Sequence, residues 1–372
     1  MRETSLWEHW LTARAETHPA DDGLPRLAEA GDERRVLGIW DFRVVPYSLG
    51  DVLLMHQRLE LLAWRDGCDK VDLAFVYDPR HPAPRSSTYE GGVNTDNFHQ
   101  HLPTLLATVY VNARLGSVGF HDSHDRLAEQ LTASASRYTI WPSPHQYSAR
   151  DFAFGRSVDS YQVFYQEHGF VPWFPIRPAA ARWVLDLWRE QVAPAPMVVV
   201  QLRNNPARSA QRNANLDAWY TVLSAEAERS PTRFVLIGSR AELDDRIAAL
   251  PNVVVAKEHG STLEQDLALA RLAPVYLGGP SGPSAMAIFS NRPYCLFNWL
   301  FEWDTVPTGG KFNFAGDHQR VLWGREEAEQ IRAQLAELTA LYDHEAWLAE
   351  VTALADQCQH GGARSNMLWE RG

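Results

Sequence analysis

Apolar runs and amphipathic stretches alternate regularly through the second half of this chain. Five short apolar runs have the composition of buried strands: Met197–Leu202, Arg233–Ile237, Val253–Ala256, Val275–Leu277 and Tyr294–Phe297. Four segments with helical spacing of apolar residues separate them: Leu216–Arg229, Ala241–Leu250, Thr262–Leu272 and Pro283–Ser290. Strands that alternate with helices in this way predict a parallel, doubly wound α/β sheet.

The first half opens with the same order of elements. Val36–Trp40 predicts a strand, Val52–Trp64 a helix that ends at Gly67, and Val71–Tyr77 a second strand. Strand, helix and strand in this order form one βαβ unit. The following segment, Arg80–Asn97, is rich in Pro, Gly, Ser and Asn and predicts a long loop.

The chain is long enough for two domains. Its 372 residues exceed what one ordinary hydrophobic core accommodates. We predict an N-terminal Rossmann-like domain over residues 1–177 and a linker helix over 178–196. A second Rossmann-like domain is predicted over 197–324, followed by two C-terminal helices over 325–372.

Composition and charge exclude several functions. A net charge of −11 argues against nucleic-acid binding, because the phosphate backbone requires a basic surface. No apolar run approaches the ~18–20 residues of a membrane span, so no transmembrane segment is predicted. Cys68, Cys295 and Cys358 fit no zinc spacing and indicate a reducing compartment. The N-terminus shows no signal peptide, so we expect a cytoplasmic protein.

The candidate binding residues are those that follow each predicted strand, because ligands of parallel sheets bind beyond the carboxyl ends. Arg203 and Asn205 follow the first strand of the second half. A guanidinium there suits a phosphate, and pairing with a carboxylate at the sheet edge is the alternative. Arg208 and Arg212 come next, and a solvated loop explains them equally well.

Four further candidates follow the second and third strands of that half. Gly238 allows a ligand to approach the backbone, and Ser239 is also placed to cap a helix that begins near Ala241. Lys257 either reaches a phosphate or is a surface lysine. Leu263 either contacts a base or packs as an ordinary helix residue.

The segment Leu277–Ser284 reads Leu-Gly-Gly-Pro-Ser-Gly-Pro-Ser. An apolar strand enters it and a helix of small residues leaves it, an arrangement that presents N–H groups to an anion. Gly279, Ser281, Gly282 and Ser284 are therefore the candidates for a phosphate site. A plain turn between strand and helix is the alternative. The segment is not a Walker A loop, because no Gly-Lys-Ser/Thr follows.

Acidic and histidine residues offer fewer candidates. Asp51 opens the first helix, where the helix dipole stabilises a carboxylate and where a general base would also be well placed. The stretch His121–Asp125 contains metal-type ligands, yet its spacing is that of a helix N-terminus. Asp-x-Asp, which clamps a metal onto a diphosphate, is absent from the sequence. We therefore predict no metal and no cofactor.

Two stretches carry a family resemblance. Ser-Leu-Gly-Asp at 48–51, with the helix and strand that follow, resembles the opening of heptosyltransferase-type enzymes of glycosyltransferase family 9. Val198–Asn298 is similar to their donor-binding half, and Gln201-x-Arg203 resembles the His-x-Arg of fucosyltransferases. The resemblance implies a GT-B fold, in which two Rossmann-like domains face a cleft and the C-terminal helices cross back.

The resemblance also implies an activity. It implies an inverting, metal-independent transferase that moves a hexosyl, deoxyhexosyl or heptosyl group from a nucleotide-diphosphate sugar to a hydroxyl of a glycan or other acceptor. Asp51 would be the catalytic base, and Arg203 would bind and neutralise the diphosphate. The Asp-Thr-Gly and downstream His of heptosyltransferases are replaced here by Gly-Pro-Ser-Gly at 279–282 and by Met286 or its neighbours.

Two other functions stay open from the sequence. A sugar-nucleotide epimerase or hydrolase shares the two-domain architecture and would consume the donor without an acceptor. A non-catalytic module that binds a nucleotide or glycan would need neither the missing His nor Asp51.

Overall fold

A computed structural model describes residues 34–44, 49–78, 98–134, 137–142, 154–205, 210–299 and 310–357. The chain divides into two compact units, Met1–Pro172 (unit 1) and Trp173–Gly372 (unit 2). The predicted loop Arg80–Asn97 and residue Ser48 lie outside the described residues.

Unit 1 contains a parallel four-stranded sheet. Its strands are β1 (Arg35–Asp41), β2 (Lys70–Val76), β3 (Leu115–His121) and β4 (Tyr138–Trp141). Its helices are α1 (Leu49–Arg65), α2 (Phe98–Thr108), α3 (His124–Ser134) and α4 (Phe154–His168). The strand order is β3-β2-β1-β4, so the predicted βαβ unit is confirmed. The helix α4 was not predicted, because the density of aromatic residues obscured its helical spacing.

The helix α1 lies against the sheet through its apolar face. Val52, Met55 and Leu59 are fully buried in one core cluster with residues of β1 and β2. Gly38 on β1 allows the close approach, because a Cβ there would lie 2.3 Å from Leu59 Cδ1. Gly67 adopts a φ of +63° just beyond the helix end, which confirms it as the predicted stop.

Unit 2 contains a parallel six-stranded sheet. Its strands are β5 (Met197–Gln201), β6 (Arg233–Ile237), β7 (Val253–Val255), β8 (Tyr276–Gly278), β9 (Tyr294–Trp299) and β10 (Gln319–Trp323). Its helices are α5 (Pro178–Leu187), α6 (Leu216–Arg229), α7 (Asp245–Ala248), α8 (Leu263–Leu272), α9 (Ser284–Ile288), α10 (Ala328–Thr339) and α11 (His344–Asp356). The order β7-β6-β5-β8-β9-β10 is that of a Rossmann sheet. The predicted fold class, α/β with two Rossmann-like units, is confirmed.

Two elements of unit 2 differ from the sequence-based prediction. The sixth strand, β10, was missed because polar Gln319 and Arg320 begin it at the sheet edge beside β9. The helix predicted over Ala241–Leu250 is broken into a 3₁₀ turn and the short α7. Asp244 causes the break, because its carboxylate accepts hydrogen bonds from the N–H groups of Arg246 (2.9 Å) and Ile247 (3.3 Å) and so starts a new helix.

The last helix, α11, packs on α5 within unit 2. The Trp347 indole donates to the Leu272 carbonyl at 2.7 Å, and Arg292 pairs with Glu350 at 2.6 Å. The segment predicted as a linker, 178–196, is α5 followed by one wide helical turn, and it belongs to unit 2. The packing of the C-terminal helices toward the N-terminal domain stays a prediction.

Three expectations from composition concern the described residues. None of the helices in the described ranges is both long and apolar enough to cross a bilayer. Across the same ranges, no group of three or more His, Cys, Asp or Glu side chains could hold a metal ion. Cys68 and Cys295 are buried free thiols.

Asp72 on β2 joins its strand to the other three strands of the unit 1 sheet. Its carboxylate accepts hydrogen bonds from the Ser117 N–H at 2.7 Å, the Tyr138 hydroxyl at 2.9 Å and the Arg35 guanidinium at 3.1 Å. Burial by itself raises the pKa of Asp72, but the bonds from Tyr138, Ser117 and Arg35 together lower that pKa below its ordinary value.

We expect Asp72→Asn to destabilise the protein by about 1–3 kcal/mol at pH 7, since a charged hydrogen-bond acceptor is lost. A lowered folded-state pKa contributes stability above the unfolded pKa of about 4, and this stability is lost as the pH falls through the folded value. Urea unfolding should therefore show a difference between wild type and variant that shrinks in acid. Asp69→Asn, at an exposed acid, is the control, and a pH-independent difference at Asp72 would contradict the assignment.

Candidate functional site

In the Rossmann sheet of unit 2, β6 and β7 lie on one side of β5, and β8, β9 and β10 lie on the other side. The strand order therefore changes direction at β5. This strand pairs with β6 on one side and with β8 on the other, and Gln201 stands opposite Gly278 at the carboxyl ends. Chains that leave such a point in opposite directions open a crevice between their loops, where ligands of α/β sheets bind. The loop after Gln201 and the glycine-rich turn after Gly278 therefore border the same crevice.

Both predicted glycine turns lie close to Gln201. A Cβ on Gly278 would stand 2.7 Å from the Gln201 carbonyl oxygen, so only glycine permits this approach. Gly238 adopts a φ of +124°, and the Gln201 amide nitrogen lies 4.0 Å from where its Cβ would be. The side chain of Gln201 is 4% exposed, and its Oε1 accepts no hydrogen bond within the described part of the chain. An amide in this state is a candidate ligand contact.

The side chain of Asn213 binds the backbone at Asn205, two residues after Arg203. The Asn213 side chain accepts from the Asn205 N–H and donates to the Asn205 carbonyl, both at 3.0 Å. The Ala214 N–H donates to the Arg203 carbonyl at 2.8 Å. Asn205, predicted to bind the donor, uses its backbone inside this loop, and its amide group donates to Glu242 at 3.3 Å. Arg203 itself is half-buried beside the crevice.

Arg212 lies at the glycine-rich turn, although the sequence did not distinguish it from a solvated loop residue. Its guanidinium donates to the Pro280 carbonyl, and its own carbonyl lies 4.0 Å from the Cβ position of Gly279. Asn298, with a φ of +54°, donates to the Gln211 carbonyl at 3.1 Å and so holds the segment before Arg212. The sequence offered no signal for this contact, because 68 residues separate Arg212 and Pro280. Arg208 lies outside the described residues.

The glycine-rich turn offers fewer N–H groups than the sequence indicated. Four N–H groups already donate within the turn: those of Ser281, Ser284, Ala285 and Met286. Pro280 and Pro283 have none, so within the described part of the chain the N–H groups of Gly279 and Gly282 are those left for a ligand. The α9 helix that follows has five residues, too few for a substantial helix dipole.

The two serines of the turn have different roles. Ser284 is buried, and its hydroxyl donates to the Ser281 carbonyl at 2.6 Å and accepts from the Ser281 N–H at 3.2 Å. It therefore stabilises the turn. The Ser281 hydroxyl lies beside the buried Tyr276 hydroxyl. Burial raises the pKa of Tyr276, and the contact with Ser281 opposes that rise.

Lys257 is half-buried and forms an ion pair with the buried Asp266 next to the Gly238 turn. Its Nζ lies 2.8 Å from Asp266 Oδ2 and donates to the Ser261 carbonyl at 3.0 Å. Asp266 also accepts from the Ser261 hydroxyl at 2.7 Å and from the Gly238 N–H at 3.3 Å. Burial raises the pKa of Asp266, and the bonds from Lys257 and Ser261 oppose it. Lys257 thus holds the Gly238 turn in place through Asp266, a residue that the sequence reasoning missed inside an apolar helix.

The remaining candidates flank the crevice or belong to unit 1. The Ser239 hydroxyl accepts from the Ala241 N–H at 3.3 Å, which confirms its capping role. Leu263 is the half-buried first residue of α8. Asp51 is half-buried in the first turn of α1, the helix that comes after β1 in the chain. Its role as a base stays a prediction.

The comparisons with known proteins found similarity to solved structures. No protein-family model and no curated protein matches the chain. A family 9 glycosyltransferase from Veillonella parvula has 12% identity and a TM-score of 0.47, with 86% of this chain and 98% of that one covered. The heptosyltransferase WaaC from E. coli, solved with ADP-2-deoxy-2-fluoro heptose, has 15% identity and a TM-score of 0.40 over 82% and 99%. The fucosyltransferase NodZ from Bradyrhizobium has 15% identity and a TM-score of 0.33 over 72% and 96%.

We expect Gly278→Ala to destabilise unit 2 by about 1–3 kcal/mol, because the new methyl group would push β8 away from the Gln201 carbonyl. The same substitution should weaken the binding of any ligand at the crevice. Denaturant unfolding measures the first effect. Gly316→Ala is the control, since its Cβ would lie 3.9 Å from the nearest atom, and equal stability of the two variants would contradict the close approach.

Proposed function

We propose that this protein is a glycosyltransferase that moves a sugar from a nucleoside-diphosphate sugar to an acceptor hydroxyl. The observation that carries the proposal is that two arginines after β5 and the glycine-rich turn after β8 lie at the carboxyl ends of these two adjacent strands of the unit 2 sheet. Arg203 follows β5, Gly279 and Gly282 follow β8, and Arg212 contacts the turn through Pro280. These groups have the chemistry that a diphosphate requires.

In this proposal the leaving diphosphate is stabilised by the protein's own cations. Two guanidinium groups, Arg203 and Arg212, neutralise its charge, and the N–H groups of Gly279 and Gly282 donate to its oxygens. The buried Gln201 amide and the Gly238 turn lie on the side of β6, where they would contact the nucleoside. Lys257 contributes through Asp266 to the shape of this turn. No metal and no cofactor is needed for these steps.

Asp51 is the proposed base. It would take the proton of the acceptor hydroxyl while that oxygen attacks the anomeric carbon from the face opposite the diphosphate. A single displacement of this kind inverts the anomeric configuration. The acceptor would be held by unit 1, the unit that contains Asp51.

The sugar is a hexosyl, deoxyhexosyl or heptosyl group in this proposal, and the acceptor is a glycan or another hydroxyl compound. A cytoplasmic location is part of the same proposal. It is supported by the free thiols of Cys68 and Cys295, which are typical of a reducing compartment.

We expect one of UDP, GDP, ADP, CDP and dTDP to raise the melting temperature of the protein without Mg²⁺. Arg203→Ala and Arg212→Ala should each lower the affinity for that nucleotide by about tenfold or more, because a charge-assisted hydrogen bond to phosphate is lost. Arg203→Lys should bind the nucleotide with an affinity between those of the wild type and Arg203→Ala, since lysine keeps the charge but loses the planar, two-pronged geometry of the guanidinium. Titration calorimetry measures the affinities, with exposed Arg332→Ala as the control. If none of the five nucleotides stabilises the protein, the proposal is wrong.

We expect Asp51→Asn to lose at least about 10²-fold in kcat, because general-base catalysis contributes that much, while nucleotide affinity stays at the wild-type value. Turnover of a donor and acceptor pair and calorimetry with the nucleotide separate the two effects. Asp69→Asn is an acid-to-amide control at an exposed site of unit 1. Retained turnover in Asp51→Asn would remove this residue from the mechanism.

The same measurements separate the alternative functions. An epimerase or hydrolase would convert the donor at a catalytic rate when no acceptor is present. A binding module would show tight nucleotide binding and no turnover with any donor and acceptor.

A further inference from the structure

Tyr276 is a fully buried tyrosine on β8, two residues before Gly278. Its hydroxyl oxygen lies 3.4 Å from the Cβ position of Gly278, so the end of the side chain lies next to the start of the glycine-rich turn. A buried tyrosine usually has a hydrogen-bond partner for its hydroxyl, because a buried hydroxyl without one is costly. The hydroxyl of Tyr276 therefore requires an explanation.

The Ser281 hydroxyl is the polar neighbour of the Tyr276 hydroxyl. Burial raises the pKa of Tyr276, and the Ser281 hydroxyl opposes that rise. Both oxygens are enclosed, and within the described part of the chain neither of them completes a hydrogen bond. Two enclosed hydroxyl groups thus lie side by side, and each offers what the other needs, since one O–H donates while the other oxygen accepts.

The backbone of Ser281 is already tied to the α9 helix. Its N–H donates to the Ser284 hydroxyl at 3.2 Å, and its carbonyl accepts from the same hydroxyl at 2.6 Å. The side chain of Ser281 is directed to β8 through Tyr276. Ser281 also directly precedes Gly282, whose N–H is one of those left for a ligand. A bond between the two hydroxyls would therefore fix the middle of the turn from the side of the sheet.

We propose that Tyr276 is a positioning residue for the glycine-rich turn. When a diphosphate occupies the turn, the Tyr276 hydroxyl donates to Ser281 Oγ and holds the Gly282 N–H toward the phosphate oxygens. The inference rests on the proposed function, which assigns the turn to a diphosphate. Hydrogen bonds of a site are often long or poorly aligned before the ligand binds and tighten in the complex. Tyr276 is enclosed in the core and does not touch the ligand.

Tyr276→Phe removes the hydroxyl and keeps the ring. Because the ligand-free protein loses no hydrogen bond, the free energy of unfolding of this variant should equal or exceed that of the wild type. Its affinity for inorganic pyrophosphate, and for the nucleotide that stabilises the wild type, should fall by about fivefold, since a bond formed on binding is lost. A merely structural tyrosine would give the opposite result, a loss of stability at unchanged affinity, and that result would overturn the proposal.

Tyr294 on β9 provides the matched control. It stands opposite Tyr276 in the sheet, is also fully buried, and its hydroxyl likewise completes no hydrogen bond within the described residues. Burial raises its pKa too, but Ser281 is not among the groups that act on it. Tyr294→Phe should therefore stay within about twofold of the wild-type affinity.

A double-mutant cycle tests whether Tyr276 acts through Ser281. Ser281→Ala should lower the pyrophosphate affinity by about fivefold or more, and adding Tyr276→Phe should change it by less than about twofold, because the bond is already absent. If the two losses multiply instead, the residues act independently and the inference is wrong. Titration calorimetry measures all four affinities.

The two ligands separate this inference from the proposed function. If pyrophosphate binds with an affinity that depends on Tyr276 and none of the five nucleotides binds, the proposed function fails and the inference stands. If a nucleotide binds equally well to the wild type and to Tyr276→Phe, the inference fails and the proposed function stands. If neither pyrophosphate nor a nucleotide binds, both are wrong.

Discussion

The close approach of β8 to β5 is the constraint on which the candidate site depends. Gly278 stands opposite Gln201, and its missing side chain lets the two backbones meet where the sheet reverses its growth. The turn after Gly278 and the loop after Gln201 then share one crevice. Arg212 can reach Pro280 only because these two segments lie side by side. A bulkier residue at position 278 would separate the basic loop from the turn.

Buried charges shape the edges of both sheets. In unit 2, Asp266 lies beneath the Gly238 turn and is balanced by Lys257 and Ser261. In unit 1, Asp41 and Asp78 are balanced by His124. A buried carboxylate is stable only when donors surround it, so each cluster fixes the geometry of the backbone around it. The Gly238 turn, which borders the candidate ligand site, is thereby held in place by Asp266.

The sequence predicted most helices and strands because their apolar periodicity is regular. The errors fall where polar side chains decide the local structure. Asp244 starts a new helix inside a segment that reads as one helix, and β10 begins with polar residues at the edge of its sheet. The turn at 279–284 was recognised from its glycines. The sequence could not show that most of its N–H groups form hydrogen bonds within the turn itself. Lys257 was a candidate for a phosphate contact, and the structure pairs it with Asp266.

The sequence by itself determined the α/β class and the turns that follow several of the strands, because these depend on local periodicity and on Gly, Pro and Asp at particular positions. The tertiary structure decided which of those turns are neighbours. Strand order is set by packing between residues far apart in sequence, and no local pattern encodes it. It brings Arg212 to Pro280 and His124 to Asp41, across 68 and 83 residues of chain. These long-range contacts distinguish a candidate site from a set of separate loops.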